Sequence, residues 1–387
     1  MIICEDDKCT GCGACSVTCP HSAINIVVAP DGFFRPKIDV DKCVECKLCV
    51  KTCPVNNKPE PHYPKETYMA WDKNLESRLR SSSGGVFGAV ASSILIDYKG
   101  AVFGAAYDSS MNLVHIGIES VAELPKLQGS KYVQSNSFHV FSSIRDLLKK
   151  GRKVYFVGTP CQVAGLKSYL HKDYPNLITS DLICHGTPSN KLFKSQIDEL
   201  DSKGSSRITD FIFRSKERFG QGYDVKICKE PGGSNFMNAE LVPYFYGFWH
   251  NITLRESCYN CPFATVERQG DITLADYWGG KKIHKGLRVA NGVSLILCNT
   301  DKGKDLLSSV CSLHLVKDSL DNALKVQGHL SHSVKMPKRH RAFREDCIRG
   351  LEFRELKQKY LTPDLKYTIK MRLRNMMKIV LMYKLWK

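Results

Sequence analysis

Eight cysteines near the start of the sequence form two runs with identical spacing. Two, two and three residues separate the cysteines of each run, and proline follows the last one; the runs are Cys9, Cys12, Cys15, Cys19 and Cys43, Cys46, Cys49, Cys53. Three thiolates on one tight turn can hold three irons of a cuboidal cluster, whereas the fourth thiolate points toward a neighbouring cluster. The sequence therefore predicts two 4Fe-4S clusters whose ligands cross between the runs.

Crossed ligation gives each cluster three cysteines from one run and one cysteine from the other. The expected sets are Cys9, Cys12, Cys15, Cys53 for the first cluster and Cys43, Cys46, Cys49, Cys19 for the second. Gly11 and Gly13 supply backbone freedom and N–H groups that can bond to cluster sulfur. A pair of zinc sites is the alternative, because C-x2-C spacing also suits zinc. Two copies of the three-plus-one run favour iron–sulfur clusters.

The first 57 residues have the pattern of a small α+β module. Residues 23–29 and 33–40 are predicted to be short strands joined by a Pro-Asp-Gly turn. Residues 1–57 thus resemble the two-cluster bacterial ferredoxins. Residues 58–66 contain three prolines and are predicted to be an extended linker. We expect a larger domain over residues 67–345 and a basic helical tail over residues 346–387.

The larger domain places cysteines at the ends of predicted strands. Residues 153–157 and 177–183 have the texture of buried strands, and Cys161 and Cys184 lie in or next to the turns that follow them. Ligands of open α/β sheets bind at such strand ends. A tight C-x2-C follows later in the chain, at Cys258 and Cys261.

A Ser/Gly-rich loop, residues 81–85, precedes a predicted helix over residues 86–98. A loop of this kind presents backbone N–H groups and a helix N-terminus to an anion such as a cofactor phosphate. The alternative is a capping loop that binds no ligand.

Five motifs of this domain occur in the order of one known family. They are the Ser/Gly loop, Ser-Lys-Tyr-Val-Gln-Ser at 130–135, Gly-Thr-Pro-Cys-Gln at 158–162, the C-x2-C, and the stretch 271–279. Over about residues 65–345 they resemble the beta subunits of coenzyme F420 hydrogenases and formate dehydrogenases. Together with the ferredoxin resemblance of residues 1–57, this resemblance implies an α+β ferredoxin-like N-terminal module followed by a larger α/β flavoprotein domain, which holds FAD and a third 4Fe-4S cluster.

The resemblance also implies site residues. The ligands of the third cluster would be Cys161, Cys184, Cys258, Cys261, and the cofactor-binding residues would be Ser83, Gly84, Gly85, Lys131, Gln134, Thr159, Asp276. Two free cysteines and a structural C-x2-C are the alternative to the third cluster, and an exposed lysine is the alternative at Lys131. Arg255 is expected to pair with an anionic cofactor or to tune a cluster. His185 is either a proton relay or a structural residue. Five cysteines are interpreted as small apolar residues: Cys4, Cys228, Cys298, Cys311, Cys347.

The function implied by this likeness is electron relay. Clusters move one electron at a time and hydride carriers take two, so a flavin is the adaptor between them. We expect an oxidoreductase that exchanges electrons with a protein such as ferredoxin and with a deazaflavin-like carrier or organic substrate. Similar chains are found in bacterial polysaccharide gene clusters. The alternative is a non-catalytic relay subunit of a larger redox complex.

Charge and composition indicate an acidic or anionic partner. Lys and Arg number 56 against 39 Asp and Glu, a formal net charge of +17. Charge alone suggests nucleic acid too, but the sequence lacks a recognition motif for it.

No signal peptide precedes the cysteine runs, so we expect a reducing cytoplasm. Residues 366–387 carry no acid and repeat apolar residues every three or four positions, which predicts a basic amphipathic helix. Such a helix either lies on the inner face of a membrane, with Trp386 at the interface, or packs on its own domain.

Overall fold

The computed structural model describes residues 1–202, 206–218, 220, 222 and 224–385. The strands of this part are β1 Ile24–Val28, β2 Phe34–Ile38, β3 Glu66–Asp72, β4 Ala101–Tyr107, β5 Leu113–Ile118, β6 Val154–Val157, β7 Leu177–Leu182, β8 Arg207–Ser215, β9 Asp224–Glu230, β10 Ser234–Asn238, β11 Ile272–Asp276, β12 Ser294–Cys298 and β13 Leu313–Asp318.

Helices connect most of these strands. They are α1 Ala14–Thr18, α2 Leu48–Thr52, α3 Leu75–Arg80, α4 Val86–Ile96, α5 Leu124–Leu127, α6 Phe141–Lys149, α7 Pro160–Leu170, α8 Asn190–Asp201, α9 Pro243–Trp249, α10 Gly280–Ile283, α11 Asp301–Ser309, α12 Leu320–Val326, α13 Lys338–Ile348, α14 Phe353–Leu356 and α15 Leu365–Leu385. None of the helices in the described ranges is both long enough and apolar enough to span a bilayer.

The large sheet is the frame of the second domain. Its strand order is β13-β3-β12-β11-β7-β6-β4-β5 in the part of the chain that the structure describes. The neighbours β11, β7, β6 and β4 run parallel, and the outer pairs are antiparallel. The helices α6 and α7 provide the crossovers from β4 to β6 and from β6 to β7. The predicted α/β domain is therefore confirmed, and the carboxyl ends of its parallel strands meet at one edge of the sheet.

A buried ion pair joins β7 to the segment before β11. Asp181 of β7 accepts hydrogen bonds from Arg268 Nη2 at 3.1 Å, Thr273 Oγ1 at 2.6 Å and the backbone N–H of Gly270 at 3.0 Å. Both charged side chains are almost fully buried. A buried charge needs such partners because desolvation is costly. The pair therefore fixes the register of two strands whose carboxyl ends carry Cys184 and Asp276.

An insertion between β7 and β11 covers the carboxyl edge of the large sheet. It contains α8, the antiparallel sheet β10-β9-β8, and α9. Phenylalanine and tyrosine dominate its interior, with Phe193, Phe213, Tyr244, Phe245 and Phe248 each at most 1% exposed. Burial of large aromatic side chains is a main source of core stability. The insertion thereby places the side chain of Phe248 over the edge where the strands end.

The N-terminal module contains α1, α2 and the antiparallel hairpin β1-β2. The predicted strands at 23–29 and 33–40 are confirmed as β1 and β2. The predicted helix at 86–98 is α4, and the strands at 153–157 and 177–183 are β6 and β7. Helix α7 begins at Pro160, since Thr159 caps it with the reciprocal bonds of a capping box.

The C-terminal residues begin in the core and end in a helix along the surface. Leu356, Tyr360 and Leu361 are buried against the aromatic cluster of the insertion. The predicted C-terminal helix is confirmed as α15. Trp386 lies outside the described residues.

Candidate functional site: three cysteine sets and a cavity

The first expected cluster set lies in one buried pocket. Cys9, Cys12, Cys15 and Cys53 line it together, so the fourth cysteine comes from the second run. All four are buried. Cys4 also lines this pocket, although its sequence position gave no sign of a role beside the runs.

The second expected set lines a separate pocket nearer the surface. Cys43, Cys46, Cys49 and Cys19 border it, together with Met1 and His21. Cys46 is exposed, and Cys43 and Cys19 are half-buried. Within the described residues, no group of three His, Cys, Asp or Glu side chains has the arrangement of a single metal-ion site. Both sets fit the donor chemistry of a cluster, since eight thiol groups line two pockets in the crossed pattern.

The two cysteine turns have the same backbone shape but different residues. Gly11 and Gly13 have φ values of 70° and 72°, and the corresponding Glu45 and Lys47 have 54° and 58°. A Cβ atom at Gly13 would lie 2.2 Å from the ring of Phe138. Glycine is therefore required in the first turn by contact with the large domain. The second turn tolerates side chains.

The first turn docks on helix α7. A Cβ atom at Gly165 would lie 2.8 Å from Cys12 Cβ and 3.1 Å from Cys12 Sγ. Gly165 and Cys161 are four residues apart on α7 and so share one face of the helix. The backbone of α7 thus approaches Cys12 directly beside Cys161.

Arg255 lies at the same interface and is 1% exposed. Its guanidinium donates to the carbonyl of Cys9 at 2.6 Å, the carbonyl of Phe34 at 2.9 Å and Gln134 Oε1 at 3.3 Å. The backbone N–H of Arg255 donates to the carbonyl of Thr187 at 2.9 Å. Arg255 therefore holds the first cysteine turn beside the segment that carries Cys258. Its positive charge can offset the negative charge of a thiolate-bound cluster.

The third expected set is brought together from three segments. Cys161 is the second residue of α7, Cys184 follows β7, and Cys258 and Cys261 belong to a tight turn of the insertion. Burial, and next the Cys258 thiol, raise the pKa of Cys184 well above its usual range; the Cys161 and Cys261 thiols add to this rise. Burial is also the largest cause that raises the pKa of Cys161 and Cys261 to about 11. Half-buried thiols that lie this close together stay protonated unless a metal compensates their charge, so the donor set fits a cluster.

A cavity of about 290 Å3 lies at the carboxyl edge of the parallel strands, beside the third set. Five of the seven predicted cofactor-binding residues line it: Ser83, Gly85, Lys131, Thr159, Asp276. Cys184 lines the cavity as well, so the third set and the cavity share a wall. Edges of this kind are where α/β sheets bind their ligands.

The Ser/Gly loop brings a helix N-terminus to the cavity. Gly85 is the N-cap of α4 with φ 89°, and no side chain caps the helix. Ser82 Oγ accepts the N–H of Ser130 at 2.7 Å, which joins this loop to the Ser-Lys-Tyr-Val-Gln-Ser motif. Lys131 lines the cavity from that motif, and burial lowers its pKa to about 8. Uncapped N–H groups and a lysine suit a phosphate of a dinucleotide cofactor such as FAD.

Two predicted cofactor residues have other positions. Gly84 is wedged between strands, where a Cβ atom would lie 2.4 Å from the carbonyl oxygen of Ala70. Gln134 faces the N-terminal module, because its Nε2 donates to the carbonyl of Thr10 at 3.1 Å. His185 lines the cavity; its Nδ1 lies 2.9 Å from His329 Nε2, and its Nε2 lies 2.7 Å from Asn251 Oδ1.

Sequence reasoning missed two basic residues near the cavity. Arg214 pairs with Asp276, the Nη2 to Oδ1 distance being 3.1 Å. Lys216 Nζ donates to the carbonyls of Arg78 at 2.7 Å and Asn291 at 2.8 Å, and also to that of Ser83 in the Ser/Gly loop. Their signal was the end of β8, where a strand of alternating apolar residues finishes at Ser215, with buried Arg214 just before it and buried Lys216 just after it.

Comparisons with known proteins match both parts of the chain. Residues 8–57 match the model of the 4Fe-4S dicluster domain, and residues 151–317 match that of the C terminus of the coenzyme F420 hydrogenase/dehydrogenase beta subunit. No curated protein matches the chain.

Among solved structures, one chain of the xenon-derivatised F420-reducing NiFe hydrogenase complex from Methanosarcina barkeri is 15% identical to this chain. The alignment covers 74% of this chain and 94% of that one, with a TM-score of 0.47. The two family matches, together with the cysteine runs, indicate an iron–sulfur electron-transfer protein that joins a 4Fe-4S dicluster domain to a region similar to the C terminus of the coenzyme F420 hydrogenase/dehydrogenase beta subunit.

Proposed function

We propose that this chain is an iron–sulfur flavoprotein oxidoreductase with three 4Fe-4S clusters and one FAD. The proposed ligands are the three cysteine sets described above, and the FAD site is the cavity at the edge of the large sheet. When bound, clusters exchange single electrons and a flavin exchanges one or two, which links a one-electron donor to a two-electron acceptor. A non-catalytic relay subunit is the alternative.

The observation that carries the proposal is the continuity of the sites. Cys12 of the first set packs against Gly165 on the face of α7 that carries Cys161. Cys184 of the third set lines the cavity. The second set lies farther out, with Cys46 exposed. The sites therefore follow one another from the surface to the cavity, as an electron relay requires.

The protein's own residues have distinct tasks in this arrangement. Gly165 permits close approach of the first turn, and Arg255 clamps that turn while offsetting negative charge. The uncapped N-terminus of α4 and Lys131 would receive a cofactor phosphate. Phe248 and the insertion cover the cavity and exclude water, which protects reduced intermediates from side reactions.

Anaerobic metal and flavin analysis tests the proposal. The wild-type chain should contain about twelve irons and release one FAD on denaturation. Cys12→Ser, Cys46→Ser and Cys161→Ser should each lose about four irons, one cluster per variant. Cys311→Ser, which replaces an exposed cysteine outside the sets, is the matched control and should retain its full iron content.

The outcomes separate the alternatives. Full iron without FAD would favour the relay subunit, and full iron in Cys161→Ser would remove the third cluster. With FAD present, the partner is sought by supplying reduced ferredoxin as donor and a deazaflavin or an organic substrate as acceptor. Sugar substrates belong in that screen because we include bacterial polysaccharide biosynthesis in the proposal.

A further inference from the structure

Helix α15 has one face that packs on the protein. Tyr367 Oη donates to Glu240 Oε2 at 3.1 Å, and its ring lies 5.7 Å from that of Tyr246 in α9. Met371, four residues on, is only 4% exposed. Arg374 Nη1 lies 3.5 Å from Glu240 Oε1. This face is therefore fully used in holding the helix on the domain.

The opposite face of α15 exposes a row of apolar side chains. Leu365 is 76% exposed, Ile369 49%, Leu373 54% and Met376 61%. Spacings of four, four and three residues place these side chains in one stripe along a helix. At 100° per residue the stripe points away from Tyr367 and Met371. Nothing in the described part of the chain covers it.

Basic residues flank this stripe. Lys366 and Lys370 lie on one side of it and Arg372 lies on the other, as the helical rotation gives their positions. The sequence of α15 contains no acidic residue to balance them. A stripe of apolar residues between basic rows suits a surface that is apolar within and negatively charged at its rim.

A second copy of the chain is a poorer occupant. Two such helices packed stripe to stripe would bring their basic flanks together, and like charges repel. A folded acidic protein would match the charges but would not be expected to receive four aliphatic side chains in a row without a groove for them. A lipid bilayer with anionic headgroups both accepts an apolar stripe and places negative charge beside the basic flanks.

We propose that α15 lies in the plane of an anionic phospholipid bilayer and holds the enzyme on its surface. Leu365, Ile369, Leu373 and Met376 enter the boundary between headgroups and acyl chains. Lys366, Lys370 and Arg372 stay at the level of the headgroup phosphates. The length and composition of α15 fit a helix that lies on the membrane rather than one that crosses it.

Vesicle flotation of the full chain tests this inference. The protein should float with vesicles that contain phosphatidylglycerol, float poorly with phosphatidylcholine alone, and lose binding as salt rises. The variant Ile369→Ser/Leu373→Ser/Met376→Ser should bind anionic vesicles more than about tenfold less tightly. Lys366→Gln/Lys370→Gln/Arg372→Gln should lose the preference for anionic lipid.

The matched control replaces three exposed apolar residues elsewhere. Val28→Ser/Val40→Ser/Ile96→Ser removes side chains that are 56–80% exposed and should leave flotation unchanged. Iron content and the melting temperature report that each variant is folded. Equal flotation of the α15 serine variant and the wild type would overturn the proposal. So would concentration-dependent dimerisation in lipid-free buffer that the serine variant abolishes, because the stripe would then bind a second copy.

Discussion

At the scale of single residues, two positions decide how the sites are coupled. Gly165 has no side chain because Cys12 occupies the space in which one would lie. Lys131 is half-buried beside the cavity, where desolvation lowers its pKa to about 8, close to the physiological range. The close packing at Gly165 is not visible in the local sequence pattern, whereas the role of Lys131 was implied by the family resemblance; each gives a measurable effect.

Gly165→Ala should weaken the docking of the first cysteine turn. Alanine is the better helix former by about 1 kcal/mol, so propensity alone would stabilise α7. The new Cβ would stand 2.8 Å from Cys12 Cβ, and overpacking of this kind costs about 1–3 kcal/mol. We expect a lower midpoint of anaerobic denaturant unfolding and, if FAD binds as proposed, slower reduction of that flavin by ferredoxin.

Gly328→Ala is the control for this substitution, since the nearest atoms to its new Cβ belong to the ring of His332, at 3.3 Å or more. It should leave both measurements unchanged. A Gly165→Ala protein as stable as the wild type would show that Cys12 does not press on α7.

Affinity for FAD should fall as pH rises through about 8. In the proposed FAD site the cationic form of Lys131 would attract the cofactor phosphate, and this form is lost above the lowered pKa of about 8. One proton linked to binding gives up to about a tenfold loss of affinity per pH unit. Fluorescence titration of the cluster-loaded, flavin-free protein between pH 7 and pH 9.5 measures the slope.

Arginine and methionine at this position separate charge from structure. Lys131→Met should bind FAD weakly at every pH without the slope, and Lys131→Arg should bind without the decline because arginine stays charged. A slope that persists in Lys131→Met would assign the titration to another group.

At the scale of elements, sequence patterns predicted the parts whose signals are local. The cysteine turns, β1, β2, α4, β6 and β7 follow from spacing, turn residues and apolar runs. The insertion with α8, β8, β9, β10 and α9 was not predicted, because its aromatic core is assembled from residues far apart in sequence. The same reason hid the pairing of Arg214 with Asp276, which joins two strands of different sheets.

The two cysteine turns provide a matched pair of substitutions. Gly13→Ala forces a Cβ toward the ring of Phe138 at a φ of 72° and should destabilise the protein by about 1–3 kcal/mol. Lys47→Ala keeps the same backbone shape at φ 58° and a Cβ that is already present, so its effect should stay within about 0.5 kcal/mol. Thermal unfolding under anaerobic conditions measures both.

A double variant that also truncates Phe138 tests whether contact with this ring causes the destabilisation. Gly13→Ala/Phe138→Ala should be less destabilised than the sum of the two single variants, since the clash is removed with the ring. Additive effects would mean that the strain lies in the backbone alone.

At the scale of the whole molecule, the sites run from an exposed set to a covered cavity. The second cysteine set is open to solvent at Cys46, whereas the first is buried between the module and α7. The N-terminal module therefore has an outer and an inner side, and under the proposed function we expect a donor protein to dock on the outer side.

Iron should be lost from the two sides at different rates. A chelator added to the oxidised protein should remove about four irons in a first phase, because the exposed set is reached first. Cys46→Ser should abolish that phase and leave the later one intact. Absorbance of the chelated iron follows both phases, and a single phase of about eight irons in the wild type would contradict the inner and outer arrangement.

The difference between Gly13 and Lys47 has a practical consequence. A turn that needs glycine accepts no modification, whereas the second turn already carries the exposed side chain of Lys47. An electrode surface or a light-driven sensitiser attached at Lys47 would lie close to the outermost cluster. It would not disturb the contacts between the first cysteine turn and α7. Electrons could thus be delivered from an external donor to the exposed cluster while the large domain keeps its fold.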